Sequence, residues 1–135
     1  MPCFMCSLNP DSIVAENDLA VAIRDGFPVS PGHTLVVTKR HAETWFDATA
    51  EERSAVLELV DEVKSALDDE LHPDGFNIGL NVGEAAGQTV PHLHVHVIPR
   101  FKGDVDDPTG GVRLVVPDKG NYRRPRFVPS SSDAD

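Results

Sequence analysis

Cysteine is scarce in this chain. The only two thiols among 135 residues, Cys3 and Cys6, both lie in the first six positions. That argues against the disulfide framework that staples small secreted domains. Long apolar runs are missing as well, and no segment approaches the roughly eighteen consecutive apolar residues of a membrane span. The opening Met1-Pro2-Cys3-Phe4-Met5-Cys6 has neither the basic region nor the apolar stretch of a secretory signal. The expected compartment is therefore the cytoplasm, with no membrane partner. Positive charge is the third shortage: 12 Lys and Arg against 22 Asp and Glu give a formal net charge of −10. Phosphate backbones are gripped by surplus Lys and Arg, so a nucleic-acid partner is not expected. Any phosphate bound here has to be held by a few placed donors rather than by a global positive field. Internal repeats are absent too.

What is present suits one globular domain with one hydrophobic core. We expect that domain over residues 1–122, with a loop-rich stretch from Gly103 to Tyr122, and a mobile tail over 123–135 rich in Pro, Ser and Asp. The short apolar run Val112–Val116 within that stretch is expected to pair or pack somewhere. Thr49-Ala50-Glu51-Glu52 has the form of a capping box, in which hydroxyl and carboxylate satisfy orphan backbone donors reciprocally. Beyond it Val56, Leu59, Val60, Val63, Leu67 and Leu71 recur at three- and four-residue steps, which predicts one long amphipathic helix. Leu19–Ile23, Thr34–Thr38, Phe76–Val82 and His92–Ile98 read as strands, with a shorter Ile13–Ala15 at an edge. Strands flank a single main helix without strict alternation, so the expected class is α+β with a mainly antiparallel sheet.

Pro91-His92-Leu93-His94-Val95-His96-Val97-Ile98-Pro99-Arg100 is the informative stretch. On a strand, His92, His94 and His96 share one face, about 6.6 Å apart, and Leu93, Val95 and Val97 share the other. The apolar face suits the long helix, and the two prolines suit strand ends. A single strand histidine is ordinarily structural. Three in strict alternation point either to a metal centre, since neutral imidazoles ligate zinc or iron, or to a nucleophile. The preceding Asn81-Val82-Gly83-Glu84-Ala85-Ala86-Gly87-Gln88-Thr89 favours phosphate chemistry: glycines let backbone amides approach an anion, and Gln88 and Thr89 carry donors. It is no P-loop, because no GK[ST] follows.

Gly87-Gln88-Thr89-Val90-Pro91 continuing through the histidines to Pro99-Arg100 resembles the signature of the histidine-triad superfamily. Pro31-Gly32-His33-Thr34 through Val37, followed by Lys39-Arg40-His41, resembles the second strand of that family and its exit. The resemblance implies a five-stranded, mainly antiparallel sheet with one long helix and a short N-terminal helix, and two-fold homodimers. It also implies a nucleotidyl hydrolase or transferase that cleaves at a nucleotide α-phosphate. His94 would be the nucleophile, carrying the nucleotide covalently, and His96 would contact the phosphoryl oxygens or leaving group. Gln88, Thr89 and the Gly87 amide would stabilise transition-state charge. Asn81 matches a phosphate-side contact and Asp25 a ribose contact, and no catalytic cofactor is required. The Gln88–Thr89 pair with the Pro99-Arg100 ending resembles the branch that hydrolyses dinucleoside polyphosphates, with an adenine nucleotide as substrate. The alternatives are a nucleoside phosphoramidase, a phosphorylase with phosphate as acceptor, a metal-dependent hydrolase or oxygenase, and a binding module without catalysis.

Cys3-x-x-Cys6 is open to redox, inert or metal-binding readings. Many bacterial members of the family carry this CxxC. In related uridylyltransferases two histidines, matching His41 and His92 here, complete a structural zinc site, which implies Cys3, Cys6, His41 and His92 as Zn2+ ligands. His33 and His72 read as structural or surface residues, with His33 able to face the site.

Overall fold

The computed structural model describes residues 3–124. From Pro125 onward the expected tail lies outside them. Two compact units divide the chain between Phe101 and Lys102.

The first unit holds a five-stranded sheet, β1 (Ile13–Glu16), β2 (Ala20–Arg24), β3 (Thr34–Thr38), β4 (Gly75–Gly79) and β5 (His94–Arg100), in the order β1-β2-β3-β5-β4 with every pair antiparallel. The one long helix, α1 (Ala50–Leu71), starts where the sequence places it. Thr49 is its N-cap, accepting from the Glu52 amide while the Glu52 carboxylate accepts from the Thr49 amide. The carboxylate of Glu52 also receives two hydrogen bonds from the Arg40 guanidinium, at 2.8 and 2.9 Å, which hold its pKa down to about 2. The stripe Val56, Leu59, Val60, Val63 and Leu67 is buried against Ala20, Ala22 and Val36 and against Leu93, Val95 and Val97. Gly32 sits beneath the end of this helix at φ +84°. A Cβ there would lie 2.7 Å from Leu71 Cδ1 and 2.8 Å from Leu67 Cδ2, so close approach requires glycine.

The second face of the sheet is covered too. Val21, Ile23, Leu35 and Val37 pack with Met5, and Cys3, Leu8, Ile13 and Val90 close over them. Hence β2 is buried on both faces over Ala20–Ile23 and β3 along its whole length. Two short 3-10 turns, Phe4–Cys6 and Pro10–Ser12, take the place of an N-terminal helix.

Two strand ends differ from expectation. β4 stops at Gly79, and β5 begins at His94, so His92 precedes the strand and is fully buried. Pro99 lies inside β5 rather than after it, where β5 has run past its last β3 pair, Thr34–Val97. Its carbonyl accepts from the Ser30 hydroxyl instead.

The second unit contains a 3-10 stretch over Gly111–Val115 and a single turn, α2 (Pro117–Gly120). Val112–Val116 is thus turn rather than strand. Within this unit Asn121 and Arg124 both bind Asp107, whose carboxyl, hydrogen-bonded also by Thr109, is held down to about 2.

Candidate active site and metal centre

Cross-strand partners point to one face, so the pairs Leu35–His96 and Val37–His94 put both histidines on the face away from α1. Their rings meet edge to face, centroids 5.2 Å apart. The backbone fixes the proton on the His94 and His92 rings. A carbonyl only accepts, so His94 donates Nδ1–H to the His92 carbonyl at 2.8 Å and keeps a lone pair on Nε2. His92 donates Nε2–H to the Thr38 carbonyl at 2.7 Å and keeps its lone pair on Nδ1.

His33, read from sequence as structural or surface yet able to face the site, is part of it. The Val29 amide donates to its Nδ1 at 3.1 Å, so the proton of the neutral ring sits on Nε2. That Nε2–H faces His96 Nδ1 at 2.9 Å and Asp25 Oδ2 at 3.3 Å. His96 therefore accepts on Nδ1 and carries its own proton on Nε2. Burial holds His33 and His96 below the ordinary histidine range, opposed in each case by Asp25. The other oxygen of Asp25 accepts from the Phe27 amide at 2.8 Å. The sequence signal for His33 was its place, two residues after Pro31 at the head of a buried strand.

The loop before the histidines is braced from within. Gly83 and Gly87 adopt φ of +89° and +94°, where side chains are strained, and this explains glycine at both positions. The Gly87 amide donates to the Glu84 carbonyl. Gln88 spends its whole amide on backbone: Oε1 accepts from the Gly83 amide at 2.9 Å, and Nε2 donates to the carbonyls of Glu43 and Val90 at 2.7 and 3.1 Å. Among the described residues Thr89 and Asn81 make no such commitments, and Thr89 is exposed.

The second cluster is the one implied for a metal. Cys3, Cys6, His41 and His92 gather their ligand atoms within 4.8 Å of one another. Cys3 Sγ lies 3.3 Å and Cys6 Sγ 3.5 Å from His92 Nδ1, and Cys6 Sγ lies 3.3 Å from His41 Nδ1. The sulfur–nitrogen edge of a tetrahedral zinc site is about 3.5 Å, from ligand bonds of about 2.3 and 2.0 Å. The His92 lone pair faces this centre, so the donor set fits a four-ligand, closed site. Asp25, His33 and His96 also bring three donor atoms together. His33 cannot turn a lone pair toward an ion there without setting an Nδ1–H against the Val29 amide. That trio is a proton-bearing network. The triad does not act as one row: His92 turns to the cysteines, while His94 and His96 remain at the open face.

A HIT domain model matches residues 7–103. The chain belongs to the HIT family, the class that the fold and the histidine row define. Protein hit of Bacillus subtilis is 38% identical over 107 residues, covering 76% of this chain and 74% of that protein. AP-4-A phosphorylase of Mycobacterium tuberculosis is 35% identical over 106 residues, 76% of this chain but 54% of that enzyme. Among solved structures, a Zn-bound histidine triad family protein from Mycobacterium smegmatis superposes with a TM-score of 0.70 at 32% identity, covering 93% of this chain and 84% of the other.

Proposed function

We propose that this protein hydrolyses dinucleoside polyphosphates through a covalent nucleotidyl-His94 intermediate. The observation that carries the reading is the one-way chain of hydrogen bonds through the site. His94, held by the His92 carbonyl, aims an Nε2 lone pair at the open face. Val29 to His33 to His96 leaves a donor on His96 Nε2. In the first step His94 Nε2 bonds to the α-phosphorus and the bond to the leaving phosphate oxygen breaks, the nucleotide product departing as its anion with the His96 Nε2–H hydrogen-bonded to that oxygen. In the second step a water oxygen bonds to phosphorus and the P–N bond breaks, its electron pair returning to His94 Nε2 while the water proton passes to solvent. Thr89 and Asn81 are the uncommitted donors for the phosphoryl oxygens. Asp25, beside His33 and His96, is the ribose acceptor.

The cysteine–histidine cluster binds structural Zn2+ in this reading. Its chemistry is architectural: a closed site that fixes the ring of His92, whose carbonyl orients His94. Protein purified with metal present should carry about one zinc per chain, and Cys3→Ser/Cys6→Ser should carry almost none by elemental analysis. Equal zinc in both would refute the assignment. The chain is further proposed to form a two-fold homodimer whose sheets join.

A second reading is favoured by one relative. Phosphate rather than water would be the acceptor, as the name of the Mycobacterium tuberculosis enzyme implies for that protein. The deciding assay follows products from diadenosine tetraphosphate, diadenosine triphosphate and adenosine phosphoramidate, with and without inorganic phosphate, for wild type and His94→Asn. Hydrolysis of the first two by wild type alone supports the proposal. Turnover that requires phosphate supports the second reading, preference for the phosphoramidate makes the protein a phosphoramidase, and full activity in His94→Asn refutes covalent catalysis.

A further inference from the structure

We propose that Gln88 is a positioning residue that braces the phosphate loop and presents Thr89, and that it does not itself bind the phosphate. The inference rests on the nucleotidyl reading above and changes the assignment of one of its central side chains. Gln88 has two amide hydrogens and one carbonyl oxygen to offer. Both hydrogens face backbone carbonyls, Glu43 at 2.7 Å and Val90 at 3.1 Å, and the oxygen takes the Gly83 amide at 2.9 Å. No donor is left over for a phosphoryl oxygen.

The placement of these bonds explains their purpose. The Leu93 amide donates to the Ala42 carbonyl at 2.7 Å just before β5 begins, and Gln88 Nε2 donates to the very next carbonyl, Glu43. Two successive carbonyls beyond β3 thus receive one backbone donor and one side-chain donor. The Gln88 side chain therefore ties the loop to the segment that leaves β3, beside the Leu93–Ala42 bond. On its other side Oε1 holds the Gly83 amide, which closes the turn Gly83–Gln88 on itself, together with the Gln88 amide donated to the Gly83 carbonyl at 3.1 Å. Thr89 follows at once, with its hydroxyl and amide uncommitted. The brace fixes where those donors stand relative to His94, five residues on.

Two measurements separate a brace from a ligand. In protein without substrate, the Gly83 amide should exchange slowly with solvent, and Gln88→Ala should speed that exchange by about tenfold or more. A residue whose role is to touch phosphate would leave it unchanged. In the kinetic cycle Thr89→Ala should lower kcat/KM by about 10²-fold or more. Gln88→Ala should approach about 10²-fold through misplacement of the loop. The double variant should stay within about twofold of Thr89→Ala alone, because the brace acts through Thr89. Losses that multiply, or a Gly83 exchange rate indifferent to Gln88, overturn the proposal. Gln88→Asn, one methylene too short to span both partners, repeats both readouts should the alanine variant fold poorly. If none of the three nucleotides turns over, the nucleotidyl reading fails, and Gly83 exchange still decides the brace.

Discussion

Backbone groups set the tautomers of His33, His92 and His94, and His33 in turn sets that of His96, an arrangement with a measurable consequence in pH. Burial keeps His33 and His96 neutral to lower pH than an ordinary histidine. Protonating His96 would place an Nδ1–H against His33 Nε2–H, 2.9 Å away, and break the directional chain. Activity should therefore be full at neutral pH. The His96 ring should gain its second proton only below the ordinary histidine pKa of about 6.5, read from its NMR titration. In His33→Gln the chain from Val29 through His33 that sets the His96 tautomer is broken, and kcat should fall by about 10²-fold with a smaller change in KM. A His96 titration midpoint above about 6.5, or a His33→Gln enzyme with unchanged kcat, would contradict this picture. Sequence put His33 where it could face the site but could not supply its hydrogen-bond partners. Its partners, Val29 and His96, are supplied by a loop and by a strand far along the chain.

The helix shows what sequence can and cannot specify. Its start was legible in Thr49 and Glu52, and its buried stripe in Val56 through Leu67, because both signals are local and periodic. Arg40, the third partner of Glu52, was not legible, being brought there by the exit of β3. Because the native pKa of Glu52 is lowered, its contribution is complete above the unfolded value and is lost as pH falls from about 4.5 toward 2. Glu52→Gln should cost about 2 kcal/mol at neutral pH. In thermal melts the gap from wild type should narrow steadily below pH 4.5; a gap independent of pH would show that the ion pair is not its source. Strand assignments followed the same logic. β3 was placed correctly from Thr34 to Thr38, whereas β5 was read two residues early. Alternation alone continues through His92, but that ring is taken out of the ladder by the cysteines and the Thr38 carbonyl. The CxxC was legible as a pattern. Its completion by His41 and His92 came from resemblance, since spacing alone does not connect residues so far apart.

At the level of the whole molecule, a shortage of positive charge and the proposed phosphate-handling site are compatible because the donors assigned to that site are imidazole, hydroxyl and amide groups rather than cations. The acidic balance belongs to the first unit, and the long helix carries much of it on its outer face, opposite the stripe that packs on the sheet. The proposed zinc cluster and the proposed catalytic pair are joined through one residue: His92 gives its ring to the cysteines and its carbonyl to His94. All of this converges on the claim that His94 carries the nucleotide, and that claim can be met directly. Wild-type protein turning over diadenosine tetraphosphate is quenched at alkaline pH, where a phosphoramidate survives, and its peptides are mapped by mass spectrometry. A nucleoside monophosphate adduct on the peptide containing His94, absent from His94→Asn, is the expected result. Steady turnover with no adduct, or with the adduct on another side chain, would contradict the account.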